Sequence, residues 1–131
     1  MSELVEPELS YEVVGLCMKV HSQLGSTHKE KYYQTALAQA LKDKGISFER
    51  EMMVPMYYDE KEVGHYFLDF LIGGKIVVEL KVKPEITPAE IKQVLSYLKT
   101  KKIKLGIIVN FGRNSLEYKR ILNNEIRENK S

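Results

Sequence analysis

The sequence contains no tryptophan, one cysteine and four prolines in 131 residues. A lone Cys17 excludes an internal disulfide, so a small disulfide-stapled scaffold is ruled out and the fold must rest on packing. Cys17 lies in an apolar helical stretch, where a buried thiol is the ordinary expectation. None of the three histidines has the spacing of a zinc site. The longest apolar runs, such as Ile76-Val77-Val78 and residues 106–109, are strand-sized and fall far short of the roughly 18 residues a membrane-spanning helix needs. Residues 1–10 carry Glu3, Glu6 and Glu8 and lack a basic-then-apolar signal pattern, so a reducing, cytoplasmic setting is expected. No repeat, low-complexity block or Pro/Gly-rich linker divides the chain, and its length fits one domain spanning residues 1–131.

What is present suffices for one core: 44% apolar residues, with eight tyrosines and four phenylalanines supplying aromatic bulk. The net charge of +2 is unevenly spread. Residues 1–91 hold ten basic against fifteen acidic side chains, a net of −5, and residues 92–131 hold ten against three, a net of +7. A basic C-terminal third suits a phosphate backbone. It equally suits a solvated helical surface, or a homo-oligomer in which it meets acidic residues 1–12 of a neighbour.

Helical spacing of Val13, Val14, Leu16, Cys17, Val20 and Leu24 predicts a first helix over residues 11–24, with Ser10 as N-cap. A second is expected from about Lys29 to Lys44, stopped at Gly45. Residues 48–58 read as a strand interrupted by Pro55, which suits an edge or a bulge, and 59–62 as a charged turn. Two further strands, 65–72 and 76–82, are joined through Gly73-Gly74. Thr87, Pro88 and Glu90 form a capping-box start for a third helix. Residues 103–109 are apolar enough for a central strand, and Asn114 and Glu117 are expected to open a last helix, ahead of a frayed tail from 123. The order α-α-β-β-β-α-β-α gives an α/β class, more narrowly an α+β mixed sheet flanked by helices.

Alternation in the third strand puts Val77, Glu79 and Lys81 on one face and Ile76, Val78, Leu80 and Val82 on the other. Burying Glu79 and Lys81 without partners would cost several kcal/mol per ion. Asp69, between Leu68 and Phe70, is placed no better. A three-residue loop, Gly73-Gly74-Lys75, brings Asp69 directly across from Glu79 with Cβ atoms about 5 Å apart; a two-residue loop would turn it to the wrong face. Two carboxylates that close repel unless a proton or cation lies between them. A hard divalent ion with oxygen ligands, Mg²⁺ or Mn²⁺, satisfies that need, acidifies water and neutralises phosphate oxygens. Lys81 would then steady developing negative charge. A buried Asp69–Glu79–Lys81 salt-bridge network without metal satisfies the same requirement.

Asp69, nine intervening residues, and Glu79-Leu80-Lys81 resemble the PD-(D/E)xK nuclease signature. Residues 20–25, Glu30 with Tyr33, 67–71, 76–81 and 105–112 more specifically resemble the small bacterial and archaeal GxxExxY proteins of that superfamily, although Thr27 stands where their name motif opens with glycine. The resemblance implies a restriction-endonuclease-like core and a metal-dependent nuclease acting on DNA or RNA phosphodiesters. It implies Asp69, Glu79 and the Leu80 carbonyl as metal ligands, Lys81 as the superfamily lysine, and Glu30 as a helical glutamate completing the site. Gln93 and Tyr97, one helical turn apart, resemble a pair that faces the site or the nucleic acid in some nuclease branches. A non-catalytic nucleic-acid-binding or protein-interaction module on the same fold is the competing expectation. Tyr33 is expected in the core and His21 as a hydrogen-bonded structural residue.

Overall fold

The computed structural model describes residues 6–125; the expectations placed on residues 1–5 and on the tail beyond 125 lie outside it. Helices α1 (Pro7–Leu24) and α2 (Glu30–Asp43) precede strands β1 (Phe48–Tyr58), β2 (Lys61–Ile72) and β3 (Ile76–Lys81). Helix α3 (Pro88–Lys101) and strands β4 (Leu105–Asn110) and β5 (Glu117–Leu122) follow. One sheet holds the strands in the order β1-β2-β3-β4-β5; β3 and β4 are parallel and every other neighbouring pair is antiparallel. The mixed sheet flanked by helices is thus as expected, and the first seven elements occur in the expected order.

The last element is a correction: residues 117–122 form strand β5, not a helix. Only Ile121 of this stretch is deeply buried, so no helical stripe has a core to face. The open edge of β4, by contrast, offers a full set of backbone partners from Leu105 to Asn110. Three ends also move. Helix α1 begins at Pro7 rather than after Ser10, whose hydroxyl instead bonds within the helix to the Pro7 carbonyl and accepts from Arg120. Strand β2 starts at Lys61, leaving a two-residue turn at Asp59-Glu60, both with positive φ. Strand β4 starts at Leu105 rather than at residue 103.

The helices lie in two layers. On one face Val13, Cys17 and Val20 of α1 and Tyr33, Leu37 and Leu41 of α2 pack against Ile76, Val78 and Leu80 of β3 and Leu105, Ile107 and Val109 of β4. On the other, Val94, Tyr97 and Leu98 of α3 cover Val77, Ile108, Leu71, Leu68 and Val54. All six residues of β4 are buried, as its unbroken apolar run requires. Helix α3 approaches β4 so closely at Gly106 that a Cβ there would stand 2.7 Å from Val94 Cγ1. The Thr87–Glu90 capping box that starts α3 is formed in both directions.

Between β2 and β3, Ile72 pairs with Ile76 and Phe70 with Val78, which is the three-residue loop. Gly73 and Gly74 both have positive φ (61° and 68°), a conformation with little penalty only for glycine. The burial of Cys17 drives its thiol up to about 12, so it stays protonated and unreactive. No described helix is long and apolar enough to cross a membrane.

Candidate metal centre and its surroundings

The β2–β3 ladder ends at Phe70 and Val78, and side chains take over from carbonyls one step further on. The Asp69 amide donates to Glu79 Oε1 (2.8 Å), and the Leu80 amide donates to Asp69 Oδ2 (2.7 Å). Each carboxylate is therefore held by backbone, and the two face each other across the gap where the strands part. Glu79 follows Val77 onto the α3 face, as the alternation requires, and is only 5% exposed.

A break in alternation makes room for Asp69. Phe70 and Ile72 pack toward α1 and α2, yet Leu68, Leu71 and Tyr66 pack toward α3. The strand turns over at Asp69, and opposite it Glu51 takes a positive φ of 55°. Such irregularities re-aim a side chain at a strand edge.

Four charged residues come together. Burial raises the Asp69 carboxyl above the usual carboxylate range, although the Leu80 amide and the charge of Lys81 pull the other way. Burial also raises Glu79, and Asp69 adds to it. Glu30, the first residue of α2, is raised by burial and then by Asp69, and it too lies within reach of Lys81's charge. The charge of Lys81 thus reaches three carboxyl groups, and their shared upward displacement, caused first by burial, marks a desolvated cluster of the kind found at functional sites.

The loop ahead of Glu30 is fixed by Tyr33. Its ring stacks on Phe111 at 4.5 Å between centroids, while its hydroxyl donates to the Gly25 carbonyl and accepts from the His28 amide. Tyr33 is therefore core, and His21 is structural, its Nε2 lying 2.8 Å from the Arg113 carbonyl. Both match expectation.

Two participants escaped the sequence reading. The Gln34 side-chain amide donates to Asp69 Oδ1 (3.1 Å) and reaches Glu30 Oε1 (3.4 Å), bridging the two carboxylates. Its signal was the spacing Glu30-x-x-x-Gln34, which sets both on one side of α2. Glu90, read only as a capping residue, also pairs with Lys83 (2.9 Å) and approaches Lys81 (3.9 Å). Lysines at alternate positions on the strand leading to a helix start were the available hint.

Of the two α3 residues, Tyr97 is buried against Tyr66 (4.4 Å between centroids), and its hydroxyl is raised by burial and by the charge of Glu79. Gln93 is exposed on the preceding turn. Asn110-Phe111-Gly112 does more than turn the chain. The buried Asn110 side chain donates to the Lys83 carbonyl and accepts from the Lys83 and Gly112 amides, locking the segment that leaves Lys81.

A model of the PD-(D/E)XK nuclease superfamily matches residues 7–121. The chain belongs to the PD-(D/E)XK nuclease superfamily. Among solved structures, the crystal structure of SSO0001 superposes with a TM-score of 0.55 at 21% identity, over 71% of this chain and 50% of that one. That likeness is one of fold, and this chain spans about half the length of that relative. No curated protein matches.

The residues suit the divalent ions typical of the superfamily. The donors are hard oxygens, and the crowded carboxylates would be relieved by a cation or by a proton. Among the described residues no three His, Cys, Asp or Glu side chains stand close enough to hold a metal by themselves. An ion here would have to complete its shell with backbone carbonyl, water and phosphate, as Mg²⁺ commonly does.

Proposed function

We propose that the chain is a metal-dependent nuclease that hydrolyses DNA or RNA phosphodiesters at Asp69, Glu79 and Lys81. The observation that carries this reading is the pair of backbone-anchored carboxylates, both raised above their ordinary range, beside a lysine. Asp69, Glu79 and the Leu80 carbonyl would hold Mg²⁺ or Mn²⁺. When bound, the ion supplies Lewis acidity toward phosphate and lowers the cost of ionising water.

The chain's own residues do the rest. The amides of Asp69 and Leu80 fix the carboxylate directions before substrate arrives, so little reorganisation is left for the reaction. Lys81 Nζ steadies negative charge on the phosphate oxygens, with Glu90 holding the ammonium in the interval. Glu30 adds a third carboxylate that can orient water, and Gln34 keeps it beside Asp69. Tyr97 closes the α3 side of the site, and Gln93, one turn earlier, meets the nucleic acid. The Glu30–Tyr33 spacing, with Tyr33 fixing the loop ahead of Glu30, supports the GxxExxY branch, and the single buried thiol supports a cytoplasmic setting.

Calorimetric titration of Mg²⁺ and Mn²⁺ into wild type and Asp69→Asn/Glu79→Gln, followed by assays on mixed nucleic acids, tests the reading. Metal binding and cleavage that vanish together in the folded double variant are expected. A folded wild type that takes up neither ion overturns it in favour of the metal-free salt-bridge network.

A further inference from the structure

Strands β1 and β2 continue past the end of β3. Their pairing runs from Phe48–Ile72 to Tyr58–Lys61, whereas β2–β3 pairing stops at Phe70–Val78. The result is a two-stranded ribbon projecting from the strand position that carries Asp69. A bare ribbon of this kind is marginal in water, and α3 supports one side of it. Val54, Leu68, Met52 and Tyr66 pack into the α3 cluster, and the Tyr66 hydroxyl meets Ser96 Oγ at 3.3 Å.

The opposite side is uncovered among the described residues. There Met53 lies across from Phe67 and Pro55 across from His65. Met53 is 48% exposed and Phe67 54%, and the rings of His65 and Phe67 meet edge to face at 5.2 Å. Among the described residues, six of the eleven large apolar side chains left exposed belong to this one ribbon: Met53, Met56, Tyr57, Tyr58, Val63 and Phe67. Such concentration marks a surface that meets something.

Position and chemistry select the occupant. The face adjoins the candidate centre: Phe67 is two residues from Asp69, and Arg50, over the Phe70 ring at 5.4 Å, lies opposite Phe70, one step past Asp69. The four side chains of the face itself carry no negative charge, and the ribbon's acidic residues, Glu49, Glu51, Asp59, Glu60 and Glu62, lie at other positions alongside Arg50 and Lys61. Flat rings, a thioether and a neighbouring guanidinium are the groups on which nucleobases stack, and they offer little to an intact duplex, whose base faces are already paired and stacked.

We propose that the open Met53/Pro55/His65/Phe67 face of the β1–β2 ribbon is a base-stacking platform for a single-stranded polynucleotide whose backbone passes Asp69 and Glu79. The proposal deepens the nuclease reading by naming its substrate class, and it rests on that reading only for the cleavage step, not for the binding. DNA and RNA present the same base faces, so the ring contacts alone do not choose between them.

The test is fluorescence anisotropy in EDTA with full-length protein and labelled oligonucleotides about 15 nucleotides long, as single-stranded DNA, single-stranded RNA and duplex DNA. Single strands of at least one type are expected to bind more tightly than duplex. Phe67→Ala is expected to weaken that binding about tenfold while leaving the salt slope and thermal unfolding unchanged, and Phe67→Trp to retain it. Unchanged single-strand affinity in Phe67→Ala, or an equal loss in Phe67→Trp, overturns the platform. A Phe67→Ala change read by sedimentation as loss of a dimer, without loss of single-strand binding, assigns the face to a second copy of the chain and also overturns it. Phe67-dependent binding without any cleavage would remove the nuclease reading and leave this one standing. Cleavage that is intact and indifferent to Phe67→Ala would do the reverse.

Discussion

The side-chain amide of Gln34 stands 3.1 Å from Asp69 Oδ1 and 3.4 Å from Glu30 Oε1, joining a helix and a strand that are 35 residues apart in sequence. This one contact tethers the start of α2 to the carboxylate pair of the sheet. Because the acceptor is charged and partly buried, the bond is worth more than an exposed amide contact. Gln34→Leu should destabilise the metal-free protein by about 1–3 kcal/mol, read as a shift in urea midpoint. It should also decouple Glu30 from metal affinity. Glu30→Gln would weaken Mg²⁺ binding in wild type but have a smaller effect in the Gln34→Leu background, and equal effects in both would show that Gln34 merely packs.

Acid–base behaviour gives a second expectation. Burial, reinforced by Asp69, holds Glu79 above the ordinary glutamate value, up to about 8, so the folded chain keeps a proton that the unfolded chain has released. Where the folded state binds more protons, stability falls as pH rises. In EDTA the protein should therefore lose stability between the ordinary carboxylate range and about 8, then level off. Glu79→Gln should flatten that slope. Divalent metal affinity should rise over the same interval, because the ion displaces the proton. Denaturant titrations at several pH values measure the first effect and calorimetry the second.

Asn110 and Gly112 supply a third. A Cβ at Gly112 would stand 2.5 Å from the Lys83 amide nitrogen and 2.6 Å from its carbonyl oxygen, a clash with backbone that no rotamer relieves. Gly112→Ala should cost about 1–3 kcal/mol. Asn110→Ala should cost about as much, since it strips part-buried Lys83 and Gly112 backbone groups of their partner. Both should also lower nuclease activity through Lys81, two residues before the displaced segment. Activity that falls only in proportion to the folded fraction would limit their role to stability.

The sequence carried the centre because strand geometry is local. Period-two alternation set Glu79 and Lys81 on one face, and the two glycines after Ile72 admitted the loop that aligns Asp69 with Glu79. The capping box at Thr87 and the unbroken apolar run of β4 were readable for the same reason: each depends on neighbours in the chain. Strand β5 was not readable. Its six residues bury little, and their conformation comes from the backbone edge of β4 rather than from their own side chains. Nor was the turn-over at Asp69, which arises where two long strands outrun the third, or the Gln34 bridge, which needs α2 set against β2. Local periodicity and turn chemistry determined the carboxylate pair. What surrounds it, including the ribbon face left open beside Asp69, was decided by contacts between segments far apart in sequence, which no local pattern encodes.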